Sequence, residues 1–321
     1  MKTQSGSALR TAVAYLLKSV IACGVMVLVF EIAAWAYPPV LPWGLALLGR
    51  MPMTSCSAAD AFQGASQLQR QHVVETAISA KSRLVRDDQS GLRQWETPDG
   101  NYWLPAGSDS VLPILLAQQE LDIYAFPGKP VAAGEVVLDC GAHVGVYTRR
   151  ALRAGAKLVV AIEPSPGNVE SLRRNFKDEI AAGRVIVYAK GVWDKEETLS
   201  FYQDPDNSAA DSFVVRGAKD KVLTEMPVTT IDKITAELHI DRVDLIKMDI
   251  KGATVRALHG AEGTLRRGNT RVVISTEEEQ DDPRAIAAAF TNLGMGYRVE
   301  CGLCAVSGDY KVHPGVLFFR R

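Results

Sequence analysis

The chain has little of several things that mark common functional classes. Its 36 Lys and Arg against 37 Asp and Glu leave a formal net charge of −1, so no overall basic field draws it to nucleic acid. Five cysteines in 321 residues, Cys23, Cys56, Cys140, Cys301 and Cys304, make no disulfide framework, and the set fits a reducing compartment. The single Cys-x-x-Cys pair, Cys301 and Cys304, lacks the second pair that four zinc ligands require. No internal repeat or low-complexity tract appears. The three-glycine fingerprint of dinucleotide folds is missing as well. The remainder, 47% hydrophobic and 23% charged, is globular in composition.

Residues 136–148 carry the strongest signal. Val136-Val137-Leu138 is a short, apolar, β-branched run of the kind that forms a buried strand, and Asp139 stands at its end. Gly141 and Gly145 follow, and an amphipathic stretch from Tyr147 predicts a helix. Glycines let the backbone turn sharply and approach a ligand with no Cβ in the way. The helix N-terminus presents unpaired N–H groups to the same spot. A second strand, residues 158–162, ends in Glu163, where a carboxylate can take both hydroxyls of a ribose. An acid just before the first glycine suits a nucleoside carrying an ammonium and a sulfonium better than one carrying a pyrophosphate. S-adenosylmethionine (SAM) is such a ligand. A strand–loop–helix without a ligand is the alternative; the joint presence of Asp139, both glycines and Glu163 weighs against it.

Around this stretch, residues 131–321 alternate between strand and helix patterns. Strands are predicted at 135–139, 157–162, 185–189, 243–249 and 271–276, and a terminal pair at 297–304 and 315–320. Helices are predicted at 146–154, 166–182, 253–265 and 283–293. Val192 or Trp193, after the third strand, would flank an adenine ring. Residues 204–221 read as a loop, with 207–212 either near the site or simply solvated. Upstream, residues 58–85 have helical spacing, 95–103 a hairpin turning at Pro98-Asp99-Gly100, and 111–124 a helix with Leu115, Leu116, Gln119 and Ile123 near one face. These would cap the pocket or simply cover the sheet.

Four segments, 139–148 (DCGAHVGVYT), 161–166 (AIEPSP), 228–234 (VTTIDKI) and 243–253 (VDLIKMDIKGA), resemble the FkbM-type methyltransferases, a SAM-dependent class I family. The resemblance runs from about Trp95 to the C-terminus. It implies an α/β fold with a doubly wound, mostly parallel, seven-stranded Rossmann-like sheet. It also implies SAM as cofactor and O-methylation of a hydroxyl, often on a sugar or a secondary metabolite. Two positions depart from the family pattern. Asp249-Ile250-Lys251-Gly252 stands where Asp-x-Glu-Gly is usual, and His143 where an asparagine is usual.

Methyl transfer requires an acceptor oxygen about 3 Å from the methyl and a group to take its proton. The candidate cofactor residues are Asp139, Gly141, His143, Gly145, Glu163 and Val192. Asp249 is the first choice for positioning the acceptor, with Lys247 two residues earlier on the same strand face and Glu277 at the tip of the fifth strand. No His/Asp cluster accompanies Asp249, so no metal is assigned. Lys251 inverts the usual charge beside the site and points to an anionic acceptor. A membrane-tethered protein that keeps the fold without catalysis is the rival reading. An NAD-dependent sugar-modifying enzyme is opposed by the glycine spacing.

The N-terminus is the one long apolar exception. Residues 19–30 carry no charge, Lys18 and Glu31 flank them, and extension to Tyr37 approaches the roughly 20 residues a bilayer span needs. Trp35 and Tyr37 suit the interface. Residues 38–49 are apolar but proline-broken. A membrane anchor is the preferred reading, ahead of a signal peptide cleaved at Ala34-Trp35-Ala36 and a soluble core helix. Lys2, Arg10 and Lys18 favour a cytoplasmic N-terminus, which for one span exports the rest. SAM is kept in the cytoplasm, so the expectation is a catalytic domain on that face, reached by a hairpin or a helix that does not fully cross. The expected divisions are 1–50 as anchor, 51–130 as linker and cap, and 131–321 as catalytic domain. The expected acceptor is a small molecule, glycan or lipid at the membrane.

Overall fold

The computed structural model describes residues 4–37, 40, 44, 58–217, 219, 221–276, 283–302, 304–306 and 312–321. Glu277, most of the second apolar stretch and Cys56 lie outside the described residues. Helix α1 (Gln4–Ala36) includes the apolar segment Tyr15–Ala33, mean hydropathy 2.2, none of which is buried in protein. At 1.5 Å per residue that segment is about 28 Å long, close to the bilayer core. By length and composition it passes as a membrane span, and a signal sequence passes the same test.

Helix α2 (Ala58–Lys81) leads into an antiparallel three-stranded sheet, β1 (Arg83–Asp87), β2 (Leu92–Thr97) and β3 (Gly100–Pro105), and then helix α3 (Val111–Glu120). The hairpin turns where Pro98-Asp99 predicts it, with Thr97 opposite Gly100. Strand β1 replaces the end of the helix expected over 58–85. Its side chains are all exposed and carry no apolar period; it pairs through Arg83–Glu96 and Asp87–Arg93 contacts across β2.

The main sheet follows. Its elements are β4 (Val136–Cys140), α4 (Val146–Arg153), β5 (Leu158–Ile162), α5 (Pro166–Asn175), α6 (Lys177–Ala181), β6 (Val185–Tyr188), β7 (Gly191–Val192), β8 (Glu197–Gln203), β9 (Lys221–Thr229), α7 (Ile231–Glu237), β10 (Leu245–Met248), α8 (Thr254–His259), α9 (Glu262–Arg267), β11 (Arg271–Ser275), α10 (Pro283–Asn292), β12 (Arg298–Cys301), β13 (Cys304–Val306), β14 (Val312–Pro314) and β15 (Val316–Arg320). Seven strands pair in the order β12-β15-β11-β10-β4-β5-β6. The five strands from β11 to β6 are parallel, and β15 runs antiparallel to both neighbours. Alternate residues feed two cores. Leu138, Val160, Ile246 and Ile274 face one layer, and Val137, Val159, Leu245 and Val273 the other. The strand order reverses between β4 and β10, so their carboxyl ends open a crevice, the usual ligand position in such sheets.

Two predicted helices are broken for identifiable reasons. The helix expected over 253–265 splits at Gly260, where a Cβ would lie 2.0 Å from the carbonyl oxygen of Trp193. The helix expected over 166–182 breaks at Phe176, which leaves helical geometry (φ −123°, ψ 27°) and buries its ring. Thr230 caps α7 by accepting from the Lys233 N–H at 3.1 Å. One expectation about the cysteines is corrected. Cys304 is disulfide-bonded, while Cys140 and Cys301 keep their thiols, so the Cys-x-x-Cys pair does not close on itself.

Candidate functional site

The β4–α4 loop owes its path to residue type. Gly141 (φ +76°), His143 (φ +50°) and Gly145 (φ +90°) are all left-handed. A Cβ on Gly141 would lie 2.0 Å from the Asp249 carbonyl oxygen, and one on Gly145 2.1 Å from the Phe176 ring. Glycine is needed at both. Asparagine enters this region readily, which accounts for its use at position 143 in the family that the sequence resembles; histidine is tolerated there with more strain.

Asp139 does not line the cleft. It is fully buried beneath the loop, where its Oδ2 accepts from the Thr148 hydroxyl at 2.7 Å and its Oδ1 lies 3.2 Å from Lys247 Nζ. Lys247 is its direct neighbour across the β10–β4 ladder and also donates to the Gly141 carbonyl at 2.9 Å. Burial works against the lysine charge, but the Asp139 and Asp249 carboxylates outweigh it and hold the pKa above the ordinary value. This pair fixes the floor of the crevice.

Glu163, at the tip of β5, lines the cleft. Its Oε2 accepts from the His143 N–H at 2.9 Å, and its Oε1 from the Ser165 N–H at 3.0 Å. Burial raises its pKa against these donors. Oε1 also accepts from the Asn168 amide at 3.4 Å; of the carboxylate's roughly four acceptor sites one remains for a hydroxyl. His143 is buried; burial and the Lys247 ammonium pull its pKa to about 3, which makes it a poor proton acceptor near neutral pH. Its Nε2 lies 2.8 Å from the Ser208 hydroxyl, and its Nδ1 makes no hydrogen bond. Ser108 donates to Ser208 at 3.0 Å, so residues 204–217 are pinned as a lid over the loop.

Asp249 follows β10 and reaches the cleft. Its Oδ2 accepts from the Tyr124 hydroxyl at 3.2 Å, and its Oδ1 lies 3.3 Å from Lys251 Nζ. Burial alone would raise its pKa; Lys251 and Lys247 outweigh burial and hold the carboxyl below the usual range. Two ammonium groups at this carboxylate disfavour a divalent cation there.

The cleft lies at the carboxyl ends of β4, β5 and β10. It brings together Gly141, His143, Glu163, Val192, Lys247, Asp249 and Lys251. Trp193 is instead packed against Val228 and Ala253. Asp211, from the loop read as either near the site or solvated, is on the cleft wall, and so are Phe201 and Phe213, which sequence reasoning missed. The two rings lie 4.7 Å apart, and Gly191 has no Cβ where the Phe213 ring approaches. Burial pushes Asp211 up to about 7, and its Oδ2 makes no hydrogen bond. Gln118 was missed too; only its place beside Gln119, on a helix expected to cap the pocket, could have pointed to it.

These features fit an adenosyl sulfonium. The bare backbone at Gly141 permits close approach, Glu163 can serve a ribose, and the orphaned His143 Nδ1 offers an unmet polar atom in the loop.

The family model of the methyltransferase FkbM domain matches residues 139–299, half of the chain. AMB antimetabolite synthetase AmbE of Pseudomonas aeruginosa is 24% identical over 202 residues, covering 51% of this chain and 9% of that protein. The chain thus spans about a tenth of that relative's length. Methyltransferase FkbM from Methylobacillus flagellatus KT superposes with a TM-score of 0.46 at 16% identity, over 86% of this chain and 65% of that one. SMU.1697c from Streptococcus mutans, in complex with SAH, superposes with a TM-score of 0.36 at 11% identity, over 59% and 90%. On the strength of the domain match, the chain belongs to the FkbM methyltransferase family, with S-adenosylmethionine as its cofactor.

Proposed function

We propose that this protein O-methylates a hydroxyl of a sugar, glycolipid or secondary metabolite at a membrane, using residues 131–321 as the catalytic domain, 51–130 as linker and cap, and 1–50 as the anchor. The supporting observation is Asp249: an ionised carboxylate at a strand tip, in the same cleft as the glycine loop and Glu163.

Gly141, His143 and Gly145 would shape the methionyl end, Glu163 would take a ribose hydroxyl, and Val192 would flank the adenine. SAM, when bound, supplies an electrophilic methyl on sulfur. Asp249 accepts a hydrogen bond from the acceptor hydroxyl and orients its lone pair. The oxygen becomes strongly acidic as it is methylated, so a carboxylate held below the usual pKa is basic enough to take the proton. Tyr124 holds the carboxylate at its other oxygen. Lys247 would act from beneath through Gly141, and the same holds for Asp139. Transfer of labelled methyl from SAM to a membrane glycolipid or polysaccharide extract tests this. Transfer supports it, and none with folded, cofactor-loaded protein contradicts it.

One observation favours a second reading, a SAM-binding scaffold without catalysis: Lys251 lies 3.3 Å from the carboxylate that should meet the acceptor. The same label experiment separates the two.

The exposed apolar helix supports anchoring. We place the catalytic domain on the cytoplasmic face, where SAM is supplied. The N-terminal charges and the disulfide-bonded Cys304 pull towards the opposite face. Alkylation of Cys304 in acid-quenched, denatured cells, with and without reduction, decides: a thiol that reacts before reduction supports the cytoplasmic placement, and one that reacts only after reduction contradicts it.

A further inference from the structure

Two adjacent glutamines of α3 stand out in this crevice. Gln118 and Gln119 are 7% and 9% exposed, both line the cleft, and neither side chain makes a hydrogen bond among the described residues. Their neighbours Leu112 and Leu116 are buried apolar residues. Neither amide is among the fully enclosed polar atoms left without a partner, so both are open to solvent in the cleft and to a ligand there. An amide offers both a donor and an acceptor, which matches a hydroxyl in either role.

Gln119 has a second property. It lies on the wall of the main cleft and of two further cavities, of about 650 and 890 Å³. Both of those are also lined by Arg150 and Arg153. The three spaces therefore share one wall residue, which sets a pair of arginines next to the cleft. Arg150 pairs with Asp122 and Arg153 with Asp99, and all four side chains are at least a third exposed. Exposed pairs of this kind contribute little and exchange readily for a better anion.

We propose that the acceptor is a polyhydroxylated molecule bearing an anionic group, which enters on the α3 side with its hydroxyls against Gln118 and Gln119 and its charge at Arg150 and Arg153. This rests on the reading of the cleft as a methyl-transfer site. The reacting hydroxyl then faces Asp249, and the anionic end sits in the outer cavities.

The test uses the full chain in detergent, saturated with S-adenosylhomocysteine and titrated calorimetrically with glucose 1-phosphate, glucose 6-phosphate and inositol 1-phosphate, and with glucose and inositol as neutral partners. At least one phosphate binds about tenfold or more tightly than its neutral partner. Gln119→Leu weakens it about tenfold without moving S-adenosylhomocysteine affinity, and Gln119→Asn, which keeps the amide, weakens it less. The double variant R150A/R153A brings the phosphate to the level of its neutral partner. Three results overturn the proposal: no phosphate binding to the loaded protein, equal binding of neutral and charged partners, or a Gln119→Leu effect on S-adenosylhomocysteine instead. The last would put the glutamines on the cofactor. If the wild type fails to take up S-adenosylhomocysteine at all, the methyl-transfer reading itself fails, which is a separate outcome.

Discussion

Lys247–Asp139 and Lys251–Asp249 are two copies of one pairing, 3.2 and 3.3 Å apart, with their lysines on either side of the β10 tip along the chain. The first has side chains 5% and 0% exposed; the second, 16% and 20%. In the first, Thr148 and the Gly141 carbonyl complete the contacts and nothing reaches the cleft from Asp139. In the second, both partners line the cleft. The buried pair ties β4 to β10 beneath the cofactor loop. The open pair holds the carboxylate that the proposed function assigns to the acceptor. Depth below the surface, rather than residue type, separates the two pairs.

The comparison breaks most visibly in stability. Lys247→Met leaves Asp139 charged and buried without its partner, and should cost about 3–5 kcal/mol in urea denaturation. Lys251→Met should leave denaturation nearly unchanged. Equal losses in the two variants would mean that both pairs are scaffold. The next effect is on rate. Asp249→Asn should lower methyl transfer about a hundredfold or more while S-adenosylhomocysteine affinity and melting temperature stay put. An unchanged rate would remove Asp249 from the reaction.

A smaller effect concerns the lid. Asp211 is raised from an ordinary 3.8 to about 7. Between those values the folded protein holds a proton that the unfolded chain has released, so its stabilising contribution is full below 3.8 and lost as pH rises through 7. Asp211's contribution to stability in urea should therefore fall as pH rises from about 4 to about 7, and Asp211→Asn should remove that part of the profile. A profile that keeps its slope in the variant assigns the titration elsewhere. The smallest effect is one of preference. Lys251→Glu should shift the ranking of acceptors from anionic towards neutral ones with little change in stability, and an unaltered ranking would contradict a role for this lysine.

Much of the sheet was legible because it is written locally. Val136-Val137-Leu138 and residues 158–162 are short apolar runs, and the glycines at 141 and 145 mark a turn that only glycine makes. The breaks at Gly260 and Phe176 were not legible, since each depends on a distant contact: the Trp193 carbonyl in one case, burial of a ring in the other. The site shows the same division. Glu163 and Asp249 were placed on the cleft by their positions at strand tips. Asp139 has an equivalent position yet faces inward, because Lys247 across the ladder satisfies it. The Ser208–His143 contact spans 65 residues and Ser108–Ser208 spans 100; neither leaves a periodic trace.

The most direct test of the cradle formed by the glycine loop and Glu163 is a calorimetric titration of the intact, folded chain with S-adenosylhomocysteine. Saturable uptake of one molecule per chain, weakened by Glu163→Gln, is the expected result. Folded protein that releases no heat and takes up neither S-adenosylhomocysteine nor SAM would contradict it.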